Sequence, residues 1–78
     1  MDPVEINAGA WYLRGVRSDA CYRWDVCEPI TGDVVAQVTL DPDTARLSSA
    51  GDNSEAIEVA EHAVRRFAGQ ALGITVAD

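Results

Sequence analysis

Tyr22-Arg-Trp-Asp-Val-Cys-Glu-Pro-Ile-Thr-Gly-Asp-Val-Val-Ala-Gln-Val-Thr-Leu40 is the stretch that decides the fold. Apolar residues alternate with polar ones from Tyr22 to Cys27 and again from Val34 to Leu40, the period of two that is typical of strands with one buried face. Pro29 and Gly32 lie between the two runs, and they favour a tight turn because proline presets φ and glycine can adopt a positive φ. The stretch therefore predicts a β-hairpin.

Two further segments have the composition of strands. The alternation from residue 11 to residue 17 separates two sets, which are Trp11 and Leu13 on one face and Tyr12, Arg14 and Val16 on the other. The short polar break at Ser18–Ala20 makes this strand an antiparallel neighbour of the hairpin. After the turn signal Asp41–Thr44, Arg46–Ser49 is predicted to be a short, weak strand. Residues 1–8 are expected to form a loose, extended arm.

Ser54 to Leu72 is predicted to be one helix. Its apolar residues recur at helical spacing, and they are Ile57, Ala60, Val64, Phe67, Ala68, Ala71 and Leu72. Ser54 is a suitable N-cap, and Asp52 with Glu55 offers a competing capping box. Gly73 occupies the position at which a left-handed C-cap is expected.

These elements predict an α+β fold in which residues 1–78 form a single domain. We expect a three- to four-stranded antiparallel sheet with a β-hairpin core and one long C-terminal helix packed on one face. The predicted helix-facing residues are Trp24, Val26, Val34, Val38 and Leu40. One helix covers only one face of a sheet, so the opposite face is predicted to be solvated or to form an interface, with Cys27 and Val35 among its apolar exceptions.

The charge balance restricts the classes of partner. Thirteen acidic residues and six arginines, with no lysine, give a net charge of −7. This charge argues against nucleic acid and anionic membranes as partners, because phosphate neutralisation needs a basic face. We find no secretory signal and no apolar run long enough to span a membrane, so a cytoplasmic location is expected.

Few residues suggest catalysis or metal binding. Cys21 and Cys27 would lie about 20 Å apart on one extended strand, which is too far for a disulfide and makes a poor metal site. His62 with Glu58 is more typical of an exposed helix surface than of a catalytic pair. The Asp41-Pro-Asp43 segment has ordinary turn composition. We therefore expect no catalytic residue, no cofactor and no metal.

Three segments together resemble the GNAT (N-acetyltransferase) superfamily in its actinobacterial form. Pro3-Val-Glu-Ile with Trp11-Tyr-Leu-Arg14 is similar to the first strand of that family. Tyr22 to Leu40 is similar to its second and third strands. Ala63-Val-Arg-Arg-Phe-Ala-Gly-Gln-Ala-Leu-Gly-Ile74 resembles the family helix that leads into the next strand. The resemblance implies an acetyl-CoA site at the start of the helix.

The sequence departs from that family at the implied site. Members bind the pyrophosphate on a glycine-rich loop at a helix N-terminus, where free backbone N–H groups meet the anion. The corresponding segment here is Ser49-Ala-Gly-Asp-Asn-Ser54, followed by Glu55, and its carboxylates would repel a phosphate. The resemblance thus implies a reduced relative without acetyl transfer. Asn53-Ser-Glu-Ala-Ile57 also resembles the helix entry of HicB-type antitoxins.

Three functional hypotheses follow. The first is a small acidic, non-enzymatic interaction or regulatory module that dimerises or docks on a protein partner through the uncovered sheet face. The alternation of the strands places six candidate partner-binding residues on the uncovered sheet face. These are Tyr12, Arg14, Arg23, Asp25, Val35 and Gln37. The alternatives are a minimal acetyltransferase-like acyl-CoA-binding protein, and an antitoxin or enzyme inhibitor with an acidic surface.

Overall fold

A computed structural model of the chain describes residues 3–76. Its five strands form one antiparallel meander in the order β1-β2-β3-β4-β5. They are β1 (Ile6–Ala8), β2 (Trp11–Val16), β3 (Tyr22–Cys27), β4 (Val34–Asp41) and β5 (Arg46–Gly51), and the helix α1 (Ser54–Phe67) follows. The α1 helix packs against all five strands on one face of the sheet. The predicted α+β class, with an antiparallel sheet and one helix, is confirmed.

The sheet is larger than the three to four strands predicted. The sequence predicts a loose arm at residues 1–8, but the last three of them form β1. This strand pairs with β2, with Ile6 opposite Leu13 and Ala8 opposite Trp11. The first two residues of that arm lie outside the described residues. A three-residue strand gives almost no alternation in the sequence, which explains why it was missed. The weak strand predicted at Arg46–Ser49 extends to Gly51.

The core lies between α1 and the helix-facing side of the sheet. Its largest fully buried side chains are Leu13, Trp24, Val26, Val38, Leu40 and Val64. Ala56, Ala60 and Ala68 are also fully buried, so that small residues of the helical segment lie closest to the sheet. Tyr22, Trp24 and Phe67 form an aromatic cluster, in which the Phe67 ring meets the other two edge-on. Burial of each large side chain stabilises the fold by about 2 kcal/mol.

The N-terminal arm completes this core at Gly15. The Trp24 indole Nε1 donates a 2.7 Å hydrogen bond to the Val4 carbonyl oxygen. Gly15 lies opposite Trp24 in the sheet, and a Cβ there would be 2.5 Å from the Val4 backbone nitrogen and 2.9 Å from the Pro3 Cβ. Glycine is therefore needed at this position because the arm crosses directly over it.

Val34 does not face the helix as predicted. The register of β3 and β4 shifts at Val26 and Cys27, so that Cys27 lies opposite Val34 while Val26 lies opposite Ala36. The extra residue in the bulge is Val35, and it breaks the strict alternation that the prediction assumed. Val34 is consequently 46% exposed, whereas Ala36 is buried.

The helical segment runs from Ser54 to Leu72 as predicted, but its N-cap and its last turn differ from the prediction. Asn53, rather than Ser54 or the Asp52–Glu55 pair, is the N-cap, and its side-chain oxygen accepts a 3.0 Å hydrogen bond from the Ala56 N–H. After Phe67 the chain continues as a π-helical segment, Ala68–Leu72.

Gly73 ends the helical segment with φ 68°, as the sequence predicts. The helix is not at the C-terminal end of the described residues, because Gly73–Val76 follow it without helix or strand. Within residues 3–76, no helix is long and apolar enough to cross a membrane.

Candidate functional site

We use the name open face for the side of the sheet that α1 does not cover. Strand register places on it Asn7, Tyr12, Arg14, Val16, Arg23, Asp25, Cys27, Gln37, Thr39, Asp41, Arg46, Ser48 and Ala50. Cross-strand neighbours on one face lie close enough to interact directly. The open face therefore brings together side chains from all five strands.

A polar network occupies the centre of the open face. One carboxylate oxygen of Asp25 accepts a 2.9 Å hydrogen bond from the Arg14 guanidinium, and the other accepts a 3.4 Å bond from the Gln37 amide. The register explains the arrangement, because Asp25 lies directly opposite Arg14 on one side and Gln37 on the other. The hydrogen bond that Arg14 donates to the Asp25 carboxylate raises the pKa of Arg14. The Arg14 side chain is half exposed, so solvent screens the ion pair and its contribution to stability is small.

Tyr12 lies beside this network. A hydrogen bond from its hydroxyl to the Glu5 carboxylate, reinforced by the charge of that carboxylate, raises the pKa of Tyr12 above the ordinary value of 10.0. Glu5 directly precedes β1, the edge strand next to β2, so it lies at the border of the open face beside Tyr12. The phenol is therefore held in its neutral form by a neighbour that the sequence alone did not identify.

A shallow pocket of about 350 Å³ opens next to Tyr12. Its lining residues are Asn7, Tyr12, Arg14, Cys27, Glu28, Pro29 and Gly32. Cys27 is only 4% exposed, and its thiol lies 3.6 Å from the Asp25 carbonyl oxygen. One wall is the loop between β3 and β4. The pocket thus has a mainly apolar lining with two charged residues of opposite sign, Arg14 and Glu28.

The loop that forms this wall is held by its own hydrogen bonds. The Gly32 N–H donates to the Glu28 carbonyl oxygen at 2.7 Å, and the Glu28 N–H donates to the Asp33 carbonyl oxygen at 2.9 Å. The Glu28 carboxylate accepts hydrogen bonds from the Ile30 N–H and the Thr31 hydroxyl. The loop nevertheless presents Ile30 with 91% of its surface exposed. A fixed loop that displays a large apolar side chain is a preorganised contact point.

The open face does not share the acidic excess of the chain. Three arginines, Arg14, Arg23 and Arg46, lie on it with two carboxylates, Asp25 and Asp41, so its formal charge is +1 on a chain of net charge −7. Glu5 and Glu28 add carboxylates at its border. Arginine and tyrosine are enriched in protein interfaces, whereas aspartate and glutamate are depleted there. The open face therefore differs from the rest of the acidic surface.

The structure places most of the predicted partner-binding residues on one surface. Tyr12, Arg14, Asp25 and Gln37 form a continuous group, and Arg23 lies on the same face opposite Thr39. Val35 is separate, because it packs against the core and lines a cleft at the start of α1. The bulge moves Val35 out of the alternation that had placed it on the open face.

Sequence reasoning missed three contributors to this surface, namely Glu5, the pocket above Cys27 and the exposed Ile30. Glu5 lies next to a strand too short to recognise. The other two depend on the path of the loop at residues 28–33, which strand alternation does not determine. The signal for Ile30 was available, since a branched apolar residue within a polar turn is unusual.

The other candidate residues remain apart from this group. Glu58 and His62 are exposed on α1, and Asp41 accepts a 2.9 Å hydrogen bond from the Asp43 N–H within the β4–β5 turn. Cys21 and Cys27 are free thiols. Within the described part of the chain, no three His, Cys, Asp or Glu residues lie close enough together to hold a metal ion.

The position implied for acetyl-CoA is an acidic cleft. This cleft, of about 570 Å³, is lined by Val34, Val35, Asp52, Asn53, Ser54 and Glu55. Asn53 already accepts a hydrogen bond from one N–H of the first helical turn. The two carboxylates oppose the binding of a pyrophosphate. Comparison of the chain with protein-family models, curated proteins and solved structures found no match.

Proposed function

We propose that this protein is a small, acidic, non-enzymatic interaction module that binds a protein partner, or a second copy of itself, through the open face. The observation that carries the proposal is the charge distribution: the open face has a formal charge of +1 on a chain of net charge −7. A sheet face that served only to keep the protein soluble would be expected to share the acidic excess. A face with tyrosine and arginine and without that excess has instead the composition of a binding surface.

The size of the face limits the affinity. Strands spaced about 4.8 Å apart make five strands about 20 Å wide, and a strand of six residues is also about 20 Å long. A flat contact over this area buries roughly 1,000 Å² in total, which is the low end for specific interfaces. The module is therefore expected to bind reversibly, with a dissociation constant in the micromolar range or weaker.

The test uses two charge reversals that are matched in chemistry. Arg23→Glu changes the open face, whereas Arg66→Glu makes the same change on the exposed side of α1. Each variant and the wild type are examined by sedimentation over a range of concentrations and are used as bait for affinity capture. We expect an association, with itself or with a captured protein, that Arg23→Glu removes and Arg66→Glu retains. The proposal is refuted if no association is lost specifically in Arg23→Glu.

A further inference from the structure

We propose that the partner of the open face is a second copy of this chain, and that each copy inserts Ile30 into the pocket beside Tyr12 of the other. This inference rests on the proposed function and adds the identity of the partner and the anchoring residue. It is carried by the position of an exposed apolar side chain next to a mainly apolar pocket, both formed by the same loop.

The exposed apolar surface is concentrated at one end of the sheet. Within residues 3–76, Ile30 and Val34 are the large apolar residues with substantial exposure, at 91% and 46%. Both belong to the β3–β4 hairpin, as do Pro29 and Gly32 in the pocket wall. Removal of a side chain as large as Ile30 from water favours association. The apolar contribution to any interface is therefore centred on this loop.

The loop and the pocket are complementary in chemistry. The pocket has about 350 Å³ of space, and Tyr12, Cys27 and Pro29 line it together with Asn7, Arg14, Glu28 and Gly32. The hydrogen bonds of the Glu28 side chain fix the loop before contact, so little conformational freedom is lost when Ile30 is buried. An anchor that enters a pocket near the centre of an interface is typical of a binding hot spot.

Twofold symmetry brings these two features together. In a symmetric dimer the same patch of each copy meets the other. A projection beside a recess on one copy can therefore enter the recess of its partner, while its own recess receives the partner's projection. The mixed charges of the open face fit this arrangement, because Arg14 and Asp25 offer opposite charges to a second copy of the same pair. A strongly basic partner would gain nothing from a face whose formal charge is +1.

The net charge of −7 on each copy gives the dimer a characteristic salt dependence. Two chains of like charge repel at long range, and added salt screens this repulsion. Self-association is therefore expected to become stronger as ionic strength rises. Docking of the acidic surface on a basic partner would become weaker instead.

Ile30→Asp and Thr44→Asp provide a matched test. Both residues are exposed in loops at opposite ends of β4, and both substitutions add one negative charge. Sedimentation equilibrium at two salt concentrations should show a dimer that tightens with salt. Ile30→Asp should weaken it by about tenfold or more, whereas Thr44→Asp should change it little. Isotope-filtered NMR of a mixed labelled and unlabelled sample should show contacts between the Ile30 methyl groups and the Tyr12 ring of the other copy.

Two results would overturn the inference. One is a chain that stays monomeric at millimolar concentration. The other is a dimer that Ile30→Asp leaves intact and in which the contacts between Ile30 and Tyr12 are absent. Neither result by itself removes the proposed function, because an association that is lost in Arg23→Glu but independent of Ile30 would still place a partner on the open face.

Discussion

Gly15→Ala tests whether the N-terminal arm is part of the folded core. The new methyl carbon would lie 2.5 Å from the Val4 nitrogen and 2.6 Å from its carbonyl oxygen, and both are backbone atoms that cannot rotate away. The arm must therefore move, and the hydrogen bond from the Trp24 indole to Val4 is lost. Overpacking costs about 1–3 kcal/mol, and loss of the hydrogen bond costs about 1 kcal/mol.

The expected effect is large for a chain of 78 residues. A total of about 2–4 kcal/mol is a substantial part of the roughly 4–12 kcal/mol by which a domain of this size is stable. Each kcal/mol lowers the melting temperature of such a domain by about 4–8 °C, so a decrease of about 8–32 °C is expected. Thermal unfolding followed by circular dichroism measures this decrease, and hydrogen exchange reports the protection of the Trp24 indole N–H.

Gly69→Ala is the matched control. Gly69 is exposed and lies in the helical segment after α1, and apart from the backbone of its own helix no atom lies within 4 Å of the place a Cβ would take. Alanine there should leave the melting temperature unchanged or raise it slightly, since glycine is less favourable than alanine in a helix by roughly 0.5–1 kcal/mol. If Gly15→Ala were as stable as the wild type, with the Trp24 indole still protected, the arm would not pack as described.

Three further predictions concern the helix, the phenol and the acetyl-CoA alternative. Asn53→Ala should lower the free energy of unfolding by about 1 kcal/mol in chemical denaturation, whereas Ser54→Ala should have little effect. Equal decreases in the two variants would contradict the assignment of Asn53 as the N-cap. Glu5→Gln should lower the pKa of Tyr12 in a spectroscopic titration. In the wild type, the Tyr12 phenol ionises at a lower pH in the unfolded chain than in the folded protein, where its pKa is raised. The contribution of Tyr12 to stability should therefore be lost as the pH rises from about 10 through the raised pKa of the folded state. Acetyl-CoA at millimolar concentration should leave the tryptophan fluorescence unchanged, and a saturable response would support the acetyltransferase resemblance.

The central elements could be predicted from the sequence because they repeat a simple pattern. Period-two alternation identified β2, β3 and β4, and helical spacing identified α1 with its buried stripe. Alternation also placed Tyr12, Arg14, Asp25 and Gln37 on one face. Their network follows from that register, since Asp25 has Arg14 and Gln37 as direct cross-strand neighbours.

The remaining features depend on contacts that local patterns do not encode. The β1 strand is defined by its pairing with β2 rather than by its own three residues. The bulge at Val35 reversed the expected faces near the start of β4, which exposed Val34 and moved Val35 towards the helix. Asn53 rather than Ser54 caps α1, a shift of one residue that is common at helix ends.

Self-association through the open face is the central claim, and an NMR dilution series tests it most directly. Backbone amide shifts are recorded from millimolar to low micromolar concentration. We expect changes confined to the open face and its loop, at Tyr12, Arg23, Ile30 and Gln37, with the exposed helix surface around His62 unchanged. Spectra that do not change with concentration, or changes centred on α1, would contradict the claim.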